Sequence, residues 1–240
     1  MMVGAEHGAM LYSLEHRYYG DSQPFEDWSV DNFEYLSSEQ ALADIAAFID
    51  GQNERLGFKA DWVVIGGSYP GALAAWFKSQ YPDHAIGAWS SSGVIHAIKD
   101  FKAFDKDIFS KTEESGSKCV DLIDEATAFV EKEFETDLGT KRIAKLFQIT
   151  GELDKRDFWF FFADIFVTGV QYGKRVTMCE GLINSAGSKW TLMQAVADLA
   201  ANSGVKYEDY DAVVLSNTKI DINTSSRQWT YQYCNEFGFF

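Results

Sequence analysis

Residues 63–71 read Val-Val-Ile-Gly-Gly-Ser-Tyr-Pro-Gly, and an apolar run from Ala72 to Phe77 follows them. The β-branched residues predict a strand, the two glycines predict a sharp turn, and the apolar run predicts a helix. This pattern is typical of a nucleophile elbow, in which Ser68 projects from the turn between strand and helix. The backbone N–H of Tyr69 would then be free at the helix N-terminus, where it can stabilise an oxyanion.

The turn departs from the usual elbow pattern at one position. That pattern is G-x-S-x-G, and Pro70 stands in the place of the second glycine. A proline fits the first helical turn, because its missing N–H is not needed there and its fixed φ suits the helix. The alternative interpretation is a glycine-rich turn in which the serine is incidental.

The composition limits the class of protein. The chain has 240 residues, of which 46% are hydrophobic and 24% charged, as in one large or two small globular domains. A formal net charge of −15 argues against nucleic acid and anionic membranes as partners. The most apolar run, residues 158–170, contains Asp164 and is too short to span a bilayer. Residues 1–7 lack the basic and apolar segments of a signal peptide.

The first 96 residues predict alternating strands and helices. We expect a buried strand over residues 9–14 and a helix that begins at Ser37, has capping-box spacing to Gln40 and ends at Gly51. The elbow and a further strand over residues 85–90 continue the alternation. Such an order predicts an α/β fold with a parallel, doubly wound sheet.

Charged and aromatic side chains follow the first predicted strand. Glu15, Arg17 and Tyr18 are candidates for the rim of a substrate pocket, because open α/β sheets bind ligands at the carboxyl ends of their strands. A rim in which Arg17 is ion-paired with Glu15 or a neighbour explains the same residues, and both interpretations stay open.

Beyond residue 96 the pattern is mainly helical. We therefore predict a core domain over residues 1–96 and a helical cap over residues 97–240 that returns only partly to the core. A strand is expected only at residues 212–215. Helical spacing is found in four segments: 119–134, 141–147, 157–167 and 191–201.

The histidines do not supply an obvious general base. Elbow hydrolases place their residues in the order serine, acid, histidine, and no histidine follows His96 in this chain. His96 is the only local candidate, and an ordinary surface histidine is the favoured interpretation for both His84 and His96.

Five longer motifs resemble a single family. They are EHRYYG at 15–20, YLSSEQALAD at 35–44, GGSYPG at 66–71, IGAWSSS at 86–92 and RQWTYQYC at 227–234. In content and order they are similar to the serine exopeptidases that include lysosomal Pro-X carboxypeptidase, quiescent-cell proline dipeptidase and thymus-specific serine protease. The resemblance covers essentially the whole chain.

The resemblance implies a partial α/β-hydrolase fold with a helical cap insertion. It implies acyl transfer in which Ser68 attacks a peptide carbonyl, usually one that follows proline, while the Tyr69 N–H supplies half of the oxyanion hole. No cofactor or metal is expected, the partner is a peptide substrate, and a homodimer is left open. Carboxypeptidase and dipeptidyl peptidase activities are not distinguished. An esterase or lipase, and a non-catalytic peptide-binding relative, are the alternatives.

The resemblance further implies a lysosomal, vacuolar or secreted protein with a disulfide between Cys119 and Cys234 and a free thiol at Cys179. Asn223 begins a glycosylation sequon, which matters only in the secretory path. The triad aspartate and histidine of the family lie in segments that this chain does not match. We therefore expect the chain to be cut at both ends relative to the family and to have negligible peptidase activity alone.

Overall fold

The computed structural model describes residues 4 and 6–238 and divides into two compact units. The first unit, termed the αβ unit, comprises Met1–Asp100 and Thr218–Phe240, and the helical unit comprises Phe101–Asn217. The predicted boundaries were 1–96 and 97–240. In the structure the C-terminal segment Thr218–Phe240 instead belongs to the first unit. Its aromatic residue Phe237 packs in that unit's core, which explains the difference. The predicted absence of a signal peptide concerns residues 1–7, which lie mostly outside the described residues.

The αβ unit contains the elbow. Its elements are a 3₁₀-helix at Asp31–Tyr35, α1 at Ser38–Leu56, β1 at Val63–Gly67, α2 at Tyr69–Gln80 and β2 at Gly87–Ser91. The two strands pair in parallel, from Val63 opposite Gly87 to Gly67 opposite Ser91. The parallel pairing and the strand–turn–helix order at the elbow are confirmed.

Two local predictions in this unit are wrong. Residues 9–14 form no strand, and the side chains of Met10, Leu11 and Leu14 are exposed rather than buried. An apolar run becomes a strand only where a neighbouring strand completes its hydrogen bonds, and among the described residues none does so here. Helix α1 continues through Gly51 and ends at Gly57, whose φ of 75° forms the left-handed cap.

Beside β1 lies a groove of about 380 Å³. Residues 12–17 and 62–65 line it, together with side chains of helices α1 and α2. Val63 and Ile65 are largely exposed, as is Trp89 on β2. Among residues 4 and 6–238, β2 is the only strand that pairs with β1, so the other edge of β1 is open.

The helical unit consists of helices in sequence with short turns. They are α3 at Lys102–Glu113, α4 at Ser117–Glu133, α5 at Asp137–Leu146, α6 at Lys155–Gln171, α7 at Arg175–Asn184, α8 at Lys189–Ser203, a 3₁₀-helix at Tyr207–Asp209 and α9 at Ala212–Leu215. The strand predicted at 212–215 is therefore a short helix. The Asp211 carboxylate accepts hydrogen bonds from the N–H groups of Val213 and Val214, which favours a helical turn over an extended strand.

One apolar core fills the helical unit. Phe158 at its centre is fully buried and lies within 5.1–5.7 Å, between ring centroids, of four other phenylalanine rings. These partners are Phe134, Phe147, Phe161 and Phe162. The αβ unit instead has two smaller clusters, one around Phe77 and one around Tyr18.

The disulfide differs from the predicted pairing. Cys119 on α4 is bonded to Cys179 on α7, with 5.2 Å between their Cα atoms, and Cys234 is free and exposed. Cys119 and Cys179 are both buried in the core of the helical unit, where α4 packs against α7. Cys234 belongs to the αβ unit, in which it has no cysteine partner. The predicted Cys119–Cys234 bond is therefore wrong.

The C-terminal segment of the αβ unit forms α10 at Ser226–Gln232, followed by a π-helical turn at Tyr233–Phe237.

In the described part of the chain, no helix combines the length and apolar character needed to cross a membrane.

Candidate active site

Ser68 occupies the apex of the turn between β1 and α2. Its backbone angles are φ 58° and ψ −128°, a sparsely populated conformation for a residue with a side chain. Its N–H donates to the carbonyl oxygen of Ser91 at 2.9 Å, which continues the β1–β2 pairing to the turn itself. The residue is exposed, so its hydroxyl is accessible to a substrate.

Glycines are required on both sides of Ser68. A Cβ atom on Gly66 would lie 2.0 Å from the carbonyl oxygen of Pro70, and one on Gly71 would lie 2.7 Å from the carbonyl oxygen of Ser91. At Gly67 the nearest heavy atom would be 3.9 Å away, so this position is less restricted. Gly71 therefore provides the close approach on the helix side, and Pro70 lies in the first turn of α2.

The backbone N–H of Tyr69 makes no hydrogen bond with another described residue. It lies at the start of α2. The Ser68 hydroxyl likewise makes no hydrogen bond with any described group. In such an arrangement the hydroxyl oxygen can attack a carbonyl carbon, and the free N–H at the helix N-terminus can donate a hydrogen bond to the resulting oxyanion.

No histidine is hydrogen-bonded to Ser68 in the part of the chain that the structure describes. His84 Nε2 lies 3.4 Å from an Asp50 carboxylate oxygen, and His96 is exposed beyond β2. His16 is held by other partners: its Nδ1 lies 2.7 Å from the carbonyl oxygen of Arg17 and its Nε2 lies 3.0 Å from the Tyr69 hydroxyl. Burial lowers the pKa of His16, which favours the neutral ring.

The predicted rim residues take structural partners. Arg17 makes a bidentate ion pair with Asp44, with both N–O distances 2.6 Å, and this hydrogen bonding raises the pKa of the arginine. Glu15 accepts a hydrogen bond from the Ser22 N–H and so holds the following turn. Glu15 and Arg17 line the groove beside β1, whereas Ser68 does not.

The prediction that Tyr18 lies on a pocket rim is wrong. Its side chain is fully buried in a small aromatic cluster, and its hydroxyl donates to the carbonyl oxygen of Asn32. Tyr18 also has a positive φ of 68°, and the sequence carries no signal for that conformation.

The buried surroundings of Tyr69 were not predicted. The Tyr69 side chain points away from solvent, and its hydroxyl contacts His16, Ser38 and Gln232. Desolvation raises the pKa of Tyr69 to about 12, so the phenol stays protonated. His16 lies in a motif that the sequence singled out, but Gln232 is 163 residues from Tyr69 and no local pattern connects them.

All 240 residues match the protein family described as Serine carboxypeptidase S28. The chain belongs to the S28 family. Among its relatives is "Probable serine protease EDA2" of Arabidopsis thaliana, 33% identical across 97% of this chain and 49% of that protein. Thymus-specific serine protease of Mus musculus is 30% identical across 97% of the chain and 52% of that protein. Lysosomal Pro-X carboxypeptidase of Homo sapiens is 34% identical across 65% of the chain and 33% of that protein.

The chain spans about half the length of the curated relatives that it matches along nearly its whole sequence. The description of the family that the chain matches is that of serine carboxypeptidases. Asn223 of the glycosylation sequon is exposed in a turn, where its side-chain amide donates to Asp221 at 3.0 Å. Glycosylation at Asn223 stays a prediction, and formation of a homodimer stays open.

Proposed function

We propose that Ser68 is the nucleophile of a serine exopeptidase that removes residues from the end of a peptide after proline. The observation that carries this proposal is the exposed Ser68 at φ 58° beside the free Tyr69 N–H. Names of relatives, lysosomal Pro-X carboxypeptidase among them, support a peptide substrate and a lysosomal or secreted location.

In the proposed reaction the Ser68 oxygen attacks the scissile carbonyl and its proton passes to a general base. The Tyr69 N–H donates to the resulting oxyanion. The C–N bond then breaks, the amine leaves with a proton, and water hydrolyses the Ser68 ester to release the acid. We further propose that β1 and β2 belong to an α/β-hydrolase sheet and that the helical unit is its inserted cap.

We expect negligible peptide turnover by the 240-residue chain itself. Among the described residues, no histidine or carboxylate is hydrogen-bonded to the Ser68 hydroxyl. Loss of the base from a serine triad lowers the rate by about 10⁴-fold or more. Slow covalent labelling of Ser68 is a more sensitive test than turnover, because each molecule needs to react only once.

The experiment treats the purified chain with a fluorophosphonate and locates the adduct by mass spectrometry. We expect selective labelling of Ser68, which is abolished in Ser68→Ala and retained in Ser92→Ala. Ser92 is a matched control because it is also exposed and has a positive φ, 50°, but does not precede a helix. Labelling of Ser92 and Ser68 at equal rates would contradict a special role for the elbow.

The same samples separate the alternative functions. Turnover of a Pro-containing peptide that is lost in Ser68→Ala would show that the chain is active, against our expectation. Faster turnover of a short-chain p-nitrophenyl ester would favour an esterase or lipase. Peptide binding without labelling of Ser68 would favour a non-catalytic relative.

A further inference from the structure

The Tyr69 hydroxyl is held in a buried hydrogen-bonded chain that the proposed reaction does not use. It lies 3.0 Å from His16 Nε2, 3.0 Å from Gln232 Nε2 and 3.3 Å from Ser38 Oγ. Gln232 is fully buried, and its Oε1 accepts a hydrogen bond from the Tyr19 hydroxyl. Distant parts of the sequence thus meet at the residue that follows Ser68.

The partners fix the direction of each hydrogen bond. The Arg17 carbonyl oxygen can only accept, so His16 Nδ1 carries the hydrogen. In the neutral ring Nε2 is then an acceptor, and the Tyr69 O–H donates to it. Gln232 accepts from Tyr19 through Oε1 and therefore turns its Nε2 to donate to the Tyr69 oxygen.

Ser38 is the less favourable partner of Tyr69. Its hydroxyl donates to a Glu236 carboxylate oxygen at 3.0 Å, and its N–H donates to the other oxygen at 2.8 Å. With that hydrogen committed, and the Tyr69 hydrogen committed to His16, the 3.3 Å contact between the two hydroxyls has no free donor. In the series of hydrogen bonds from Tyr19 through Gln232 and Tyr69 to His16, by contrast, every contact has one donor and one acceptor.

The ring of Tyr69 is fixed as well as its hydroxyl. Its centroid lies 5.0 Å from that of Phe237 and 5.8 Å from that of Trp229. Strained backbone such as that of Ser68 persists only where surrounding contacts hold it, and residue 69 is its immediate neighbour. The hydrogen bonds and ring contacts of the Tyr69 side chain fix residue 69 and so restrict the backbone of Ser68.

We infer that the Tyr69 network, defined as Tyr19, Gln232, Tyr69 and His16, positions the Tyr69 backbone N–H beside Ser68. In this role Gln232 and His16 are positioning residues, since both act through Tyr69. The inference rests on the proposed function of Ser68.

The test compares Gln232→Met with Gln228→Met. Both glutamines are fully buried on α10, one turn apart, but Gln228 Nε2 donates to the Tyr18 carbonyl oxygen and not to Tyr69. Methionine keeps the side-chain volume and removes the amide. Hydrogen exchange is measured at two amides that the elbow protects, Ser68 N–H to Ser91 and Ala72 N–H to Ser68.

We expect exchange at Ser68 and Ala72 to be about tenfold faster in Gln232→Met and unchanged in Gln228→Met, as suits the loss of one buried hydrogen bond. ¹⁵N NMR of the histidines should find the Nδ1–H tautomer at His16 in the native chain. Labelling of Ser68 by the fluorophosphonate should slow about tenfold in Gln232→Met alone.

Equal exchange in the two variants, or the Nε2–H tautomer at His16, would overturn the inference. Absence of Ser68 labelling in the native chain, together with the expected exchange and tautomer, would count against the proposed function only. In that case the network still positions the elbow, so the two failures are distinguishable.

Discussion

The helical unit and the αβ unit bury their apolar side chains to different extents. In the helical unit a single core surrounds Phe158, and a disulfide joins α4 to α7. The αβ unit has two smaller clusters, one around Phe77 and one around Tyr18. We therefore expect the helical unit to be the more stable of the two, whereas the candidate chemistry lies in the αβ unit. Functional elements are often drawn from the less stable part of a protein.

The largest difference in stability between the units is expected when one central phenylalanine in each unit is replaced by alanine. Phe158→Ala should lower the stability of the helical unit by about 3–5 kcal/mol, because four rings would line the cavity. Phe77→Ala should cost the αβ unit less, because its ring partners Tyr81 and His84 are only half buried and can relax. Hydrogen exchange followed by mass spectrometry reports each unit separately. A larger loss for Phe77→Ala would reverse the comparison.

The disulfide gives the second test. Replacing Cys119 and Cys179 together by serine should destabilise the helical unit by about 4 kcal/mol, since the bond closes a loop with a sequence separation of 60. Cys234→Ser should change stability by less than about 0.5 kcal/mol, because this cysteine is free and exposed. Urea unfolding measures both, and peptide mapping without reduction identifies the bonded pair. A Cys119–Cys234 peptide would refute the structure on this point.

Acidification should change the stability of the two units least of all, and it should lower the stability of one unit and raise that of the other. Burial lowers the pKa of His16 from 6.5, although the hydrogen bond to the Arg17 carbonyl and the charge of Asp44 oppose the shift. The unfolded chain therefore gains a proton first, and His16's contribution to the αβ unit is lost as pH falls from 6.5 towards the lower folded pKa. Burial raises the pKa of Asp164 from 3.8, so the helical unit gains stability as pH falls through that raised value.

Unit-resolved hydrogen exchange, corrected for the intrinsic rate at each pH, measures this divergence. His16→Gln should reduce the loss of stability of the αβ unit as pH falls below 6.5, and Asp164→Asn should reduce the gain in stability of the helical unit at lower pH. Parallel changes in both units that neither substitution affects would contradict the assignment.

The elbow could be predicted because its determinants are local. Small residues, a strand and a helix meet within nine positions, and Gly66 and Gly71 make the close contacts that the turn requires. The cap of α1 is equally local, since the Ser37 side chain accepts from the Gln40 N–H.

Features that depend on distant parts of the chain were not predictable in the same way. The partner of Cys119 is decided by which helix packs against α4, and spacing carries no information on that choice. Residues 9–14 have the composition of a strand, but a strand also requires a neighbour. Gln232 reaches Tyr69 only because the C-terminal segment folds back into the αβ unit.

The open edge of β1 has a consequence for the behaviour of the chain in solution. Unpaired backbone groups flanked by apolar side chains, here Val63 and Ile65, form a template on which a strand of another molecule can pair. The net charge of −15 keeps molecules apart at low ionic strength. Salt screens that repulsion, so the concentration at which the isolated chain stays monodisperse should fall as ionic strength rises.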